Sequence, residues 1–164
     1  MIYFKKLRWR NFLSTGNQFI EVDLRKAPST LIIGMNGAGK STMLDALCFA
    51  LFNRAFRDIK KEQIVNTINQ NECEIEVEFE TSSKQYKIIR GIKPNKFEIW
   101  CNGIMLNQDA AVRDYQKHLE STILKLNFRS FTQVVILGNA SFVPFMQLRP
   151  EYRRQVVEEI LDIE

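Results

Sequence analysis

The chemistry in this sequence concentrates in Gly34-Met35-Asn36-Gly37-Ala38-Gly39-Lys40-Ser41, which meets the spacing G-x-x-x-x-G-K-[ST] at every specified position. Glycines let the backbone curl until successive N–H groups point into one concavity, a fixed nest for an anion. Lys40 then brings a cation to the β- and γ-phosphates, and Ser41 brings a hydroxyl to Mg²⁺. A helix opening at this point adds its N-terminal partial positive charge, and Thr42 adds a donor near the α-phosphate. The pattern predicts binding of ATP or GTP with Mg²⁺.

Hydrolysis needs more: a strand ending in a carboxylate for the metal, and a group that aims the attacking water. "QVVILGNAS" has the apolar run but ends in Gly138 and Asn139. "VVEE", 156–159, has the acids but lies in an Arg-rich helical segment after Pro150, and "FIEVDL" precedes the glycine loop as an alternating strand. "LSTG", Leu13–Gly16, has the look of a degenerate ABC-type glycine signature, but a strand pattern follows it, so it reads as a polar turn. The residues therefore supply one binding half-site.

The elements that must hold this site come next. "MIYFKKLRW" and "NQFIEVDL" read as strands, and "STLIIG" as a short apolar strand leading into the loop. Met43–Phe52 is apolar nearly all round, as a buried helix is. In "ECEIEVEFE", Cys73, Ile75, Val77 and Phe79 alternate with glutamates, so one face belongs to a core and the other to water. "KQYKIIRGI" and "KFEIWCNGIML" continue a meander, with Asn102-Gly103 as a tight hairpin turn. Val112, Tyr115, Leu119 and Ile123 recur at helical spacing, "QVVILG" reads as another buried strand, and a helix opens at Pro150.

The 164 residues, 45% hydrophobic and 26% charged, fit one globular domain. The net charge of +4 leans towards an anionic partner. No apolar run approaches the ~20 residues that span a bilayer, and three scattered cysteines suit a reducing compartment. The expectation is a soluble, cytoplasmic protein.

"MIYFKKLRWRNFLSTGNQFIEVDL" leading into "LIIGMNGAGKSTMLDALCFALF", with "RDIKKEQ" at 57–63 and "QLRPEYRRQVVEEILDIE", resembles the N-terminal lobe of the SbcC family. These are SMC-related, ABC-type ATPases of DNA double-strand-break repair. "FRDIKKEQIVN", "RGIKPNKFEI" and "VVILGNASFVPFM" are most similar to its phage-encoded recombination branch, which would put the protein in a bacterial host's cytoplasm.

The resemblance implies an α/β fold: an ABC-type head lobe with a mixed central sheet around the loop helix, plus an antiparallel β-meander. It implies a lobe over 1–148 and the root of a coiled coil from 149 to 164. It implies ATP as the nucleotide, Mg²⁺, a C-terminal lobe carrying the missing motifs, and a second head as dimer partner. An SbcD-type nuclease subunit and duplex DNA complete the set. By resemblance Asn36–Thr42 bind nucleotide, and Val65, Asn66 and Thr67 lie near adenine or ribose. Asn139 stands where the family has the glutamine that approaches Mg²⁺ and the attacking water. Lys40 and Asn139 are then the catalytic residues, and Ser41 and Asn139 the metal contacts. Leu13 stands where many relatives have an arginine near the phosphates; Arg10 is a poor substitute.

Other features read more plainly. Lys84, Lys87, Arg90, Lys93 and Lys96 either face DNA or match Glu74, Glu76 and Glu78 across the sheet. Lys60 and Lys61, with Arg8 and Arg10, pose the same choice. His118 reads as a surface residue, and Phe142, Phe145 and Met146 as an apolar loop whose default is core packing, with a partner interface as the alternative. The alternative function is an SMC-like, ATP-driven tether or clamp without a nuclease partner. A self-contained P-loop kinase would need an acidic acceptor site and an Arg-rich lid, and no local cluster here supplies both.

Overall fold

The computed structural model describes residues 2–106, 112–136 and 144–161. The chain divides into two compact units, Met1–Asp109 and Ala110–Glu164. The first is a six-stranded antiparallel sheet with one helix against it. Its strands are β1 (Tyr3–Arg10), β2 (Ile20–Asp23), β3 (Cys73–Glu80), β4 (Gln85–Ile92), β5 (Lys96–Cys101) and β6 (Ile104–Met105). In space they run β2-β1-β3-β4-β5-β6, so β1 lies between its hairpin partner and a strand some 70 residues later.

Period-two alternation sets the two faces. Leu7 and Trp9 of β1, Ile75, Val77 and Phe79 of β3, Ile88 of β4 and Ile99 of β5 are all buried. On this face lies α1 (Thr42–Phe52), whose residues from Asp45 to Phe52 are all buried. Phe49 meets Phe12 at a ring separation of 5.9 Å. Each such aromatic or leucine removed from water contributes about 1.5–3 kcal/mol. Asn53, in the left-handed region, ends the helix, and its N–H returns to the Phe49 carbonyl. Arg90 also points inward: its Nε donates to the Ala50 carbonyl at 2.9 Å, and its guanidinium lies 3.7 Å from the Phe97 ring centre. A cation there meets the negative end of α1.

The meander and the Asn102-Gly103 turn, both at positive φ, follow the sequence pattern. Leu31–Ile33 does not. Expected as a buried strand, it pairs with no strand among the described residues, and Leu31 and Ile33 are 82% and 83% exposed. Its apolar character is intrinsic, but nothing described pairs with it, so the strands described in this unit are all antiparallel.

The second unit is helical. α2 (Val112–His118) runs on as a π-helical turn over Leu119–Leu124, with Tyr115, Leu119 and Ile123 buried as the spacing predicts. α3 (Phe128–Val134) opens on Asn127, whose side chain accepts from the Ser130 N–H at 3.0 Å. "QVVILG" is thus corrected: Gln133 and Val134 end a helix, and Val135 forms its C-cap. A four-residue apolar run cannot by itself distinguish a strand from the last turn of a helix. α4 (Pro150–Leu161) begins on its proline, and Tyr152 receives the Arg129 guanidinium 3.6 Å above its ring.

Candidate nucleotide site

Residues 34–41 link the exposed 31–33 segment to the buried α1. Gly37 and Gly39 have φ of +86° and +87°, values that side chains rarely adopt. At Gly34 a Cβ would meet the Ala38 Cβ at 3.4 Å. The loop therefore uses its glycines for the curl that turns amides inward. Thr42 is buried, its N–H bonded to the Gly39 carbonyl at 3.0 Å. The Lys40 ammonium folds across the loop, donating to the carbonyls of Gly34 at 2.5 Å and Met35 at 2.7 Å. It is thereby held across the loop by two of the loop's own carbonyls.

The cradle fits a nucleotide triphosphate: an amide concavity, a flexible cation over it, and the exposed Ser41 hydroxyl beside it. For Mg²⁺ the chain offers less. No group of three or more His, Cys, Asp or Glu suited to a metal occurs among the described residues. The nearest carboxylate on α1, Asp45, is fully buried and engaged by the backbone N–H, Nε and Nη2 of Arg57. Among the described residues, the Ser41 hydroxyl is thus the loop's own oxygen that would meet such an ion.

Facing the loop is a cavity of about 590 Å³. Gly37–Lys40 form one side, the Ser14–Gly16 turn another, and Trp9 and Met43 add apolar surface. The turn is tightly built. Asn11, fully buried at φ +49°, and Leu13 at φ +54° both sit in the left-handed region. The Thr15 Oγ1 donates to the Phe12 carbonyl at 2.5 Å, and the Asn11 N–H to the Gly16 carbonyl at 2.9 Å.

The segment expected near adenine or ribose lies directly behind this turn. Val65 bridges to Phe12, and the Leu13 N–H donates to the Ile64 carbonyl at 2.6 Å. The Asn66 Nδ2 donates to the Leu13 carbonyl at 3.0 Å, while its Oδ1 accepts from the N–H groups of Ile68 and Asn69. Asn69 in turn donates to the Asn11 Oδ1 at 2.7 Å. Asn66 and Val65 are buried and Thr67 is exposed; none of the three lines the cavity. Asn139, with Phe142, falls outside the described residues.

The comparisons with known proteins bear on this site. The AAA_23 family model, described as "AAA domain", matches residues 6–164. The chain belongs to the AAA_23 family. Exonuclease subunit 2 of Enterobacteria phage T4 is 43% identical over 158 residues, covering 96% of this chain and 28% of that protein. The DNA double-strand break repair Rad50 ATPase of Thermoplasma volcanium is 29% identical, covering 98% of this chain and 18% of that protein. The AAA_23 chain thus spans less than a third of the length of these relatives. The SMC head domain of Pyrococcus furiosus, solved with the C-terminal domain of ScpA, superposes with a TM-score of 0.69 at 21% identity, over 98% of this chain and 42% of that one. The resemblance to an SbcC-type, SMC-related lobe is borne out, and the α/β fold is that of the SMC and ABC heads.

The outer face of this AAA_23 sheet carries Arg8, Arg10, Lys87 and Lys96 of the cations weighed as DNA contacts, and there the cross-strand match prevails. β1 offers Lys6, Arg8 and Arg10, and β3 sets Glu78, Glu76 and Glu74 opposite them. Arg8 reaches Glu76 at 2.6 Å and Lys87 reaches it at 2.7 Å; Lys96 reaches Glu74 at 3.3 Å and Arg10 reaches Glu72 at 3.4 Å. Burial alone would raise the Glu76 carboxyl, but hydrogen bonds from Arg8 and Lys87 outweigh it and hold the group below its ordinary range. Lys60 and Lys61 are exposed. Burial pushes the thiols of Cys48 and Cys73 up to about 12, which makes them inert at neutral pH.

The sequence reading missed three things: the Asp45–Arg57 pair, the inward Arg90, and the asparagine network. Only the last leaves a trace, in the run of asparagines at 11, 17, 66 and 69. Nothing in their spacing says that they meet.

Proposed function

We propose that this chain is the ATP-binding lobe of an ABC/SMC-class ATPase that dimerises on ATP and regulates access of DNA to an associated SbcD-type nuclease. Lys40 and the loop amides neutralise the triphosphate, Ser41 supplies one Mg²⁺ ligand, and Asn139 orients water or metal in place of a glutamine. Bound Mg²⁺ offsets charge on the β- and γ-phosphates. By resemblance Val65, Asn66 and Thr67 belong to the adenine or ribose side, where they stand behind the cavity wall and do not line it. The partners are a C-terminal lobe of the same protein, a second head and duplex DNA, in the cytoplasm, with α4 as the root of a coiled coil.

One observation carries the half-site reading: the segment that enters the phosphate loop, Leu31–Ile33, is apolar, exposed and unpaired among the described residues. Exposed apolar segments of this kind mark interfaces. A strand from the C-terminal lobe paired here would complete the sheet and bring a carboxylate beside Ser41. The test is ATP turnover. The intact protein hydrolyses ATP and Lys40→Ala abolishes it, whereas residues 1–164 alone bind ATP weakly and do not turn over. Turnover by the isolated chain that Lys40→Ala removes would refute the half-site. Purification of the intact protein without a metal-dependent nuclease subunit would favour a DNA tether instead.

A further inference from the structure

α1 carries one charged residue, Asp45, and it stands one turn into the helix that the phosphate loop opens. Its N–H donates to the Ser41 carbonyl at 3.2 Å, four residues back and about 6 Å along the axis. Side chains on a helix lean toward its N-terminus, which puts the carboxylate on the loop's side of its own backbone. A carboxylate there occupies the positive field at the helix start, the same field that draws phosphate to the loop. Fully buried, it has no water to screen it and would oppose each phosphate that a ligand adds.

Arg57 cancels that charge, and the chain bends back to let it. Asn53 ends α1 in the left-handed region, Ala55 is buried, and Arg57 lands beside the first turn of the helix instead of its last. Its N–H donates to the Asp45 Oδ1 at 3.0 Å, and its Nε and Nη2 donate to Oδ2 at 2.8 and 2.5 Å. A pair serving only the core could sit anywhere along α1; this one sits where the charge of a ligand collects. The partners differ in exposure, since Asp45 has none whereas the Arg57 side chain is 43% exposed. Without the carboxylate, therefore, the guanidinium can turn to water and remain a cation near the loop.

We infer that Arg57 is a positioning residue for the nucleotide site: acting through Asp45, it sets the charge that a triphosphate on the loop experiences. This deepens the nucleotide-binding reading and rests on it. The pair is neutral, so Lys40 and the loop amides act on the ligand unopposed. Breaking it from its two ends has opposite effects. Loss of the cation leaves a buried anion that repels the ligand, and loss of the anion leaves a cation that attracts it. A purely structural pair would instead weaken binding from either end.

The test measures equilibrium binding of ATP and ADP, each with Mg²⁺, to the intact protein at a temperature where every variant is folded by circular dichroism. Asp45→Asn lowers the Kd for ATP about three- to tenfold at low ionic strength, and Arg57→Ala raises it by a similar factor. Both changes are smaller for ADP, which carries less charge. Both shrink between about 0.02 and 0.3 M salt, as an effect of charge does and a distorted loop does not. Arg57→Lys regains most of the ATP affinity, although its unfolding midpoint stays below that of the parent. Unchanged or weakened ATP binding in Asp45→Asn overturns the inference, as does a loss in Arg57→Ala that is the same for both nucleotides and at both salt concentrations. Should Arg57→Ala not fold, Asp45→Asn decides alone. Lys40→Ala in the same assay separates the two levels: if it binds ATP as the parent does, the nucleotide reading itself has failed.

Discussion

At the scale of single residues, the phosphate loop was legible because its chemistry is local. Gly34 to Ser41 are consecutive, and the two left-handed glycines lie where the pattern requires them. Asp45 was not legible. In sequence it is one charge in an apolar helix; in the fold it is a fully buried carboxylate that needs Arg57, 12 residues on, to be tolerated. Removing Arg57 strands that charge. Arg57→Ala therefore costs about 3 kcal/mol of stability, read from the urea unfolding midpoint, with slope unchanged. Arg57→Lys recovers only part of it, since an ammonium cannot reproduce the forked contact of Nε and Nη2 with Oδ2.

At the scale of elements, the alternation of β3 and the all-round apolar α1 fix what they become, because each pattern carries its own period. Leu31–Ile33 and Val134–Ile136 were misread for opposite reasons. The first has strand character, but no partner strand is described for it; the second starts on the last helical residue, Val134, and its C-cap, Val135, in a helix set by the Asn127 cap and the Phe128–Phe131 spacing upstream. The charge ladder across β1, β3 and β4 makes a pH prediction. The Glu76 carboxyl is lowered in the fold from an unfolded value near 4.3, so its contribution is fully present above that value. The contribution disappears as pH falls through the lower folded value. Thermal melts between pH 6 and 2 should show a steeper loss below about pH 4 in the parent than in Glu76→Gln.

At the scale of the whole molecule, the sheet order matters more than any contact. β1 lies between β2 and β3, yet Arg8 and its partner Glu76 stand 68 positions apart, with the phosphate loop and α1 between them. The meander from β3 to β6 closes through short turns, whereas joining β1 to β3 closes a long loop at a greater cost in chain entropy. The same join brings Trp9, beside the nucleotide cavity, against Ile75 of β3. The chain's two tryptophans lie on either side of this division, Trp9 in β1 and Trp100 in β5. In refolding experiments on Trp9→Phe and Trp100→Phe, Trp100 fluorescence reaches its native value before Trp9 does; a single phase common to both would mean that β1 docks in step with the meander. A strand inserted late into the middle of a sheet makes the nucleotide pocket the last part of this unit to acquire its shape.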